Sequence, residues 1–212
     1  MKRKYVRTSS TGEVKELPDD SRHGEHFLMF VQILLCHAWT IGFLESELWE
    51  TIPNIALAAE IHDLGKMALP KELINKPGGF NSEEKEFMKT HTILGATMIE
   101  LNAPQFRDTL VYEYAIEICR HHHERIDGQG YPDGLCGDEI PSYVQVASLA
   151  DVYDALRTPR SYRGELSENT ALRMLYNGEC GAFDPILLES FAPAIESFWK
   201  LAHTVTGVTQ DT

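Results

Sequence analysis

Positive charge, cysteine and long apolar runs are all scarce in this chain, and each scarcity narrows what it can be. Nineteen Lys and Arg stand against 32 Asp and Glu, a formal net charge of −13. A general nucleic-acid binder carries a basic footprint, so no polymeric nucleic acid is expected as a partner. A small anionic substrate stays open, because a local metal centre can outweigh the global field. The four cysteines (Cys36, Cys119, Cys136, Cys180) form no Cys-x-x-Cys pair. That usage points to a reducing cytoplasm. The stretch Phe27–Trp39 is apolar but interrupted by Gln32 and His37, and it falls short of the roughly 20 apolar residues that a bilayer span needs. Lys2, Arg3, Lys4 and Arg7 have no apolar stretch behind them, unlike a signal peptide. A cytoplasmic protein without membrane attachment is expected.

What is present suits one large domain: 212 residues, 43% of them hydrophobic. Residues 1–20 mix Ser, Thr, Gly, Pro and charge without periodicity and read as a flexible arm. From residue 21 the pattern turns helical, with Phe27, Phe30, Val31, Leu34 and Leu35 at helical spacing. A second helix is expected from Ser46 through Ile55, Leu57, Ala58 and Ala59 to Asp63, ended by Gly65 and Pro70. Ser82-Glu83-Glu84-Lys85 opens another, with a serine cap and an acidic first turn, running past His91 towards Leu101. An apolar stripe over 109–120 ends in a histidine run, and residues 124–141 hold four glycines and two prolines, a long ordered loop. Helices follow over 142–157, 167–177 and 184–203, the last opened by Asp184-Pro185. The expected fold is an all-α single-domain bundle of about seven helices over residues 21–203, with a flexible tail at 204–212.

Chemistry-bearing residues gather in four segments: His62-Asp63-Leu64-Gly65-Lys66, Lys89-Thr90-His91, His121-His122-His123-Glu124, and Ala150-Asp151-Val152-Tyr153-Asp154. Imidazole and carboxylate are the ligands that iron, manganese and zinc take. His62, Asp63 and Lys66 are spaced to face one cavity, although a His-Asp pair alone also suits a helix end beside a surface ion pair. Adjacent helical residues point about 100° apart, so at least one of His121, His122 and His123 should be a bystander. Asp151 stands among small apolar residues, and a buried carboxylate must be paired or metal-bound; Asp154 reads better as a helix-stabilising carboxylate. His91 alone would read as a core histidine. Arg160 and Arg163 suit phosphate recognition, or simple surface solubility.

These segments occur in one order with Asn75-Lys76-Pro77-Gly78, Asp127-Gly128-Gln129-Gly130-Tyr131-Pro132, Ile140-Pro141 and Phe183-Asp184-Pro185. Together they resemble the HD-GYP domain, a branch of the HD phosphohydrolase superfamily, over about residues 22–200. The resemblance implies a cyclic di-GMP phosphodiesterase that makes linear pGpG, with further cleavage to GMP. It implies two divalent ions, iron or manganese, held by His26, His62, Asp63, His91, His122, His123 and Asp151, with Asp63 bridging both. Lys66, Arg160 and Arg163 match phosphate-contacting positions, and Gly130, Tyr131 and Pro132 match the loop that shapes the mouth of the site. Members with a third metal carry a glutamate four residues before the first histidine, where this chain has Arg22; two metals are therefore expected. His23 lies close enough to His26 to compete for the first ligand position.

The mechanism implied is attack on phosphorus by a hydroxide activated between two ions about 3.5–4 Å apart, with Lys66, Arg160 and Arg163 offsetting charge on the phosphate oxygens. Asp63 and Lys66 are the residues expected at the chemistry. Alternatives are another cyclic dinucleotide, a mononucleotide hydrolase, or a non-catalytic receptor that binds the dinucleotide or docks a diguanylate cyclase. A sensory domain is the other expected partner.

Overall fold

The structure is a computed structural model that describes residues 5–7, 14–16, 21–102, 109–158 and 164–206, with side chains from residue 26 onward and to residue 202. Helices α1 (Ser21–Thr40), α2 (Ile52–Ala59), α3 (Lys71–Ile74), α4 (Ser82–Lys89), α5 (His91–Asn102), α6 (Leu110–His121), α7 (Ser142–Arg157), α8 (Glu168–Tyr176) and α9 (Pro185–Thr206) make an all-α fold. Within residues 1–20 the strands β1 (Tyr5–Arg7) and β2 (Val14–Glu16) pair antiparallel, Val6 opposite Lys15. Strand-favouring Tyr and Val stand at these positions.

The apolar stripe of α1 is the hub. Val31, Leu34, Leu35 and Ala38 have no exposed surface, and α1 packs on α9, α7 and α2. Phe30 meets Phe191 and Phe198 of α9 edge-on at 5.8 and 5.4 Å between centroids. On the other side α2 packs on α6, and α6 on α5. Among the described residues no helix is long and apolar enough to cross a membrane.

Boundaries differ from the sequence reading where caps compete. Ser46–Thr51 is a 3-10 helix, and α2 starts at Ile52 with Pro53 in its first turn, where a missing N–H costs nothing. The cap of α4 is Asn81: its Oδ1 accepts from Glu84 N (2.8 Å) while Glu84 Oε2 accepts from Asn81 N (2.9 Å), a reciprocal capping box. Thr90 separates α4 from α5, so His91 starts a helix instead of riding in the middle of one. Asp184 caps α9 through Ile186 N at 2.7 Å.

Gly65 brings two of the histidine-bearing segments together. A Cβ at this position would lie 1.9 Å from His91 O and 2.5 Å from Gly95 N. Only glycine lets the 3-10 helix Leu64–Ala68 lie directly against the first turns of α5.

Candidate metal centre

Each chemistry-bearing side chain enters the centre from the end of an element or from a buried helix face. His62 and Asp63 follow the end of α2, in the tight turn ahead of Leu64–Ala68. Lys66 stands one turn on and donates from Nζ to Asp63 Oδ2 at 2.5 Å. His91 opens α5; His122 and His123 follow the last residue of α6; Asp151 sits in mid-α7 beside the fully buried Ala150.

Three imidazoles are oriented alike. Nδ1 of His62 lies 2.7 Å from Ala59 O, Nδ1 of His91 2.8 Å from Met88 O, and Nδ1 of His122 2.9 Å from Ile118 O. A carbonyl only accepts, so each Nδ1 carries the hydrogen, and in a neutral ring each Nε2 is left as a lone pair. These lone pairs converge. Nε2 of His91 and Nε2 of His122 are 3.3 Å apart and lie 3.3 and 3.9 Å from Asp63 Oδ1. Asp63 Oδ1 is buried and has no hydrogen-bond donor among the described residues. Acceptors that face acceptors in a buried place are unfavourable unless a cation lies among them. On the other side His62 Nε2 is 3.5 Å from Asp63 Oδ2 and 3.3 Å from Asp151 Oδ1.

The ligand atoms of His91, His122 and His123 lie within 4.8 Å of one another, as do those of His62, Asp63 and His122. His122, buried to 1% exposure, belongs to both groups. A mixed nitrogen and carboxylate donor set with an orphaned carboxylate oxygen fits divalent iron, manganese or zinc.

Protonation follows the same logic. Burial pushes the His62 pKa down, but its bonds to Asp151 and Asp63 outweigh burial and raise it to about 10. Burial would raise both carboxyls; His62 and Lys66 hold Asp63, and His62 holds Asp151, well below the usual carboxylate range. Burial and then the charge of His62 press His122 down to about 3. Burial also lowers His91 and, with the neighbouring His122, lowers His123 well below the ordinary value. Without metal, one imidazolium holds the carboxylates and three neutral imidazoles face them.

The loop after the histidine run is anchored by Glu124, which is 2% exposed. Its carboxylate accepts from Asp133 N (2.7 Å), Gly134 N (3.1 Å) and Leu135 N (3.1 Å). A Cβ on Gly130 would lie 2.4 Å from Glu124 Cα, so the loop lies flat on the end of α6. Tyr131 then stacks on His123, 4.7 Å between centroids at 24°, and Pro132 follows it before Asp133. Arg125 ties the same turn to the rest of the core: Nη1 donates to Ser148 Oγ at 2.8 Å, and the guanidinium covers Phe183 at 4.8 Å.

Of the histidine run, His121 stands outside the cluster. It bonds Glu117 through Nδ1 and Asp133 through Nε2, each at 3.0 Å. His26 is not brought to the cluster either. Its ring is exposed, edge-on to Phe198 at 6.0 Å, and lines a 170 Å³ cavity with Tyr153, Asp154 and Arg157. Its neighbour Phe27 contacts His62, 5.3 Å between centroids; the rotation of α1 that buries Phe27 turns His26 away. Arg160 and Arg163 lie outside the described residues. The anchoring role of Glu124 was missed from sequence. Its signal was an acid directly ahead of a glycine-rich loop whose amides need an acceptor.

The HD domain family matches residues 44–187. A probable cyclic di-GMP phosphodiesterase of Vibrio cholerae is 33% identical over 190 residues, covering 87% of this chain and 43% of that protein. A 3'3'-cGAMP-specific phosphodiesterase 2 of the same organism is 36% identical over 148 residues, covering 70% of this chain and 27% of that protein. Among solved structures, an HDG"Y"P protein from Bdellovibrio bacteriovorus aligns with a TM-score of 0.61 at 20% identity, covering 82% of this chain and 52% of that one. The structural likeness carries the fold. The chain spans less than half the length of these curated relatives. This chain belongs to the HD domain family.

Proposed function

We propose that this chain is a metal-dependent phosphodiesterase that hydrolyses a cyclic dinucleotide, cyclic di-GMP first, to the linear dinucleotide and on to GMP. The observation that carries this reading is the meeting of the His91 and His122 Nε2 lone pairs with the orphaned Asp63 Oδ1. Names of relatives support the substrate class: one is called a probable cyclic di-GMP phosphodiesterase. The catalytic unit is proposed as residues 21–203, working in the cytoplasm, with a sensory domain or a diguanylate cyclase as partner.

The proposed ligand set is His62, Asp63, His91, His122, His123 and Asp151, shared between two ions, iron or manganese. His26 is left out because its ring is exposed against Phe198. Divalent ions held there supply acidity to a water and offset charge on the phosphate oxygens. Asp63, whose Oδ1 faces His91 and His122 and whose Oδ2 faces His62 and Lys66, would serve both groups of imidazoles as a shared ligand. His62 would have to give up its proton to serve as a neutral ligand. Lys66, which holds Asp63 Oδ2 here, would offer its ammonium to a non-bridging phosphate oxygen of the substrate. Arg160 and Arg163 are proposed to approach the same phosphate, and the Gly130-Tyr131-Pro132 loop to wall the mouth.

A second substrate, 3'3'-cGAMP, is favoured by the relative of that name. The test is turnover of cyclic di-GMP, 3'3'-cGAMP and mononucleotides by Fe2+- or Mn2+-loaded protein in anaerobic buffer, beside Asp63→Ala at matched metal content. The reading expects dinucleotide cleavage that Asp63→Ala loses. Turnover of mononucleotides alone, tight binding without turnover, or an active Asp63→Ala variant contradicts it.

A further inference from the structure

We propose that Tyr131 is the positioning residue that orients His123 towards the metal, doing with an aromatic face what backbone carbonyls do for the other ligand histidines. This deepens the reading above and rests on His123 being a ligand. His62, His91 and His122 are each fixed by an Nδ1 bond to a carbonyl. Among the described residues the His123 ring has no hydrogen bond. Rings hold it instead: Tyr131 stacked at 4.7 Å and 24°, His91 edge-on at 5.1 Å and 82°, and His122 at 4.2 Å. An offset stack of this kind fixes the plane of an imidazole while leaving its nitrogens open.

Tyr131 is itself held, by a cation at its ring and by the backbone around it. Lys89 Nζ lies 5.4 Å from its centroid, a cation over the ring. Tyr131 N donates to His123 O at 3.3 Å, tying the two backbones. On one side Gly130 lies against Glu124, and on the other Glu124 accepts the amides of Asp133, Gly134 and Leu135. A side chain without a planar face at 131 leaves His123 free to rotate about χ1 and χ2, so the ordering cost falls on metal binding.

The test is Mn2+ titration against a competing chromophoric chelator, on the full 212-residue chain, for wild type, Tyr131→Phe, Tyr131→Leu, Tyr131→Met and His123→Ala, with thermal melts in EDTA alongside. Loss of an outer support of a ligand histidine costs about 10–100-fold in metal affinity, and that loss is expected for Tyr131→Leu. Tyr131→Phe, which keeps the stacking face, is expected within about twofold of wild type. Tyr131→Met fills similar space without a plane and is read like Tyr131→Leu; it covers the case that Tyr131→Leu does not melt cooperatively. Equal weakening in Tyr131→Phe and the non-aromatic variants overturns the proposal, as does wild-type affinity in both non-aromatic variants while His123→Ala is weak. Wild-type affinity in His123→Ala overturns the ligand reading itself.

Discussion

Replacing Gly65 with alanine tests whether the two histidine-bearing halves of the centre depend on backbone contact. The new Cβ would lie 1.9 Å from His91 O, 2.5 Å from Gly95 N and 2.8 Å from His91 C. Heavy atoms reach a comfortable separation at about 3.5 Å, so the two backbones must part by roughly 1.5 Å. Overpacking costs about 1–3 kcal/mol; with backbone on both sides and no flexible side chain to yield, about 3 kcal/mol is expected. For a chain of this size that is a fall in Tm of roughly 6–12 °C. The same parting pulls Asp63 from His91, now 3.3 Å apart, and a misplacement of about 1 Å in a catalytic constellation costs roughly 100-fold in rate. Circular-dichroism melts in EDTA, Mn2+ titration and cyclic di-GMP turnover read the three effects. Gly79→Ala, where a Cβ meets nothing within 4 Å, is the control and should stay within about 0.5 kcal/mol of wild type. A Gly65→Ala protein that melts and binds Mn2+ like wild type would refute the argument.

Two further outcomes follow from the geometry. Glu124→Gln replaces one of the two accepting oxygens by an amide that faces the Leu135 or the Asp133 and Gly134 N–H groups; a loss of about 1–3 kcal/mol is expected, read as earlier melting and faster proteolysis in the 124–141 loop, and unchanged melting would show that the anchor is dispensable. In EDTA the folded pKa of His62 is raised from 6.5 to about 10, so its contribution to stability is complete below pH 6.5 and lost as pH climbs to about 10. Asp63 and Asp151 are depressed, so theirs is present above their unfolded values and lost as acid falls below about pH 4. Tm in EDTA should therefore decline between pH 6.5 and 10 in wild type and much less in His62→Asn; parallel declines contradict the assignment.

Much of this candidate cluster was legible in the chain because most of its side chains sit at breaks in helical pattern, Asp151 in mid-α7 being the exception. His62-Asp63 precedes Gly65, the histidine run precedes a glycine-rich loop, and Asp151 stands out among Ser148, Leu149 and Ala150, all buried. What could not be read was rotation and hydrogen-bond partner. Which member of the run is the bystander depends on α6 ending at His121, which leaves that ring facing Glu117 and Asp133. His26 and Phe27 compete for the inward direction, and burial of the phenyl ring decides it. Tautomer is equally invisible in sequence, since it depends on which carbonyl each Nδ1 meets. The helix continuing from 46 to 63 was too simple a reading, because Ser46–Thr51 is a 3-10 helix and α2 spans only Ile52–Ala59.

The most direct test of the central claim is anomalous X-ray diffraction from crystals of the Mn2+-loaded chain, collected on both sides of the manganese edge. The account predicts anomalous density within coordination distance of Asp63 Oδ1 and of Nε2 of His91 and His122, with a second peak towards His62 and Asp151. Density only at surface carboxylates, or none among these side chains at full Mn2+ occupancy, contradicts it.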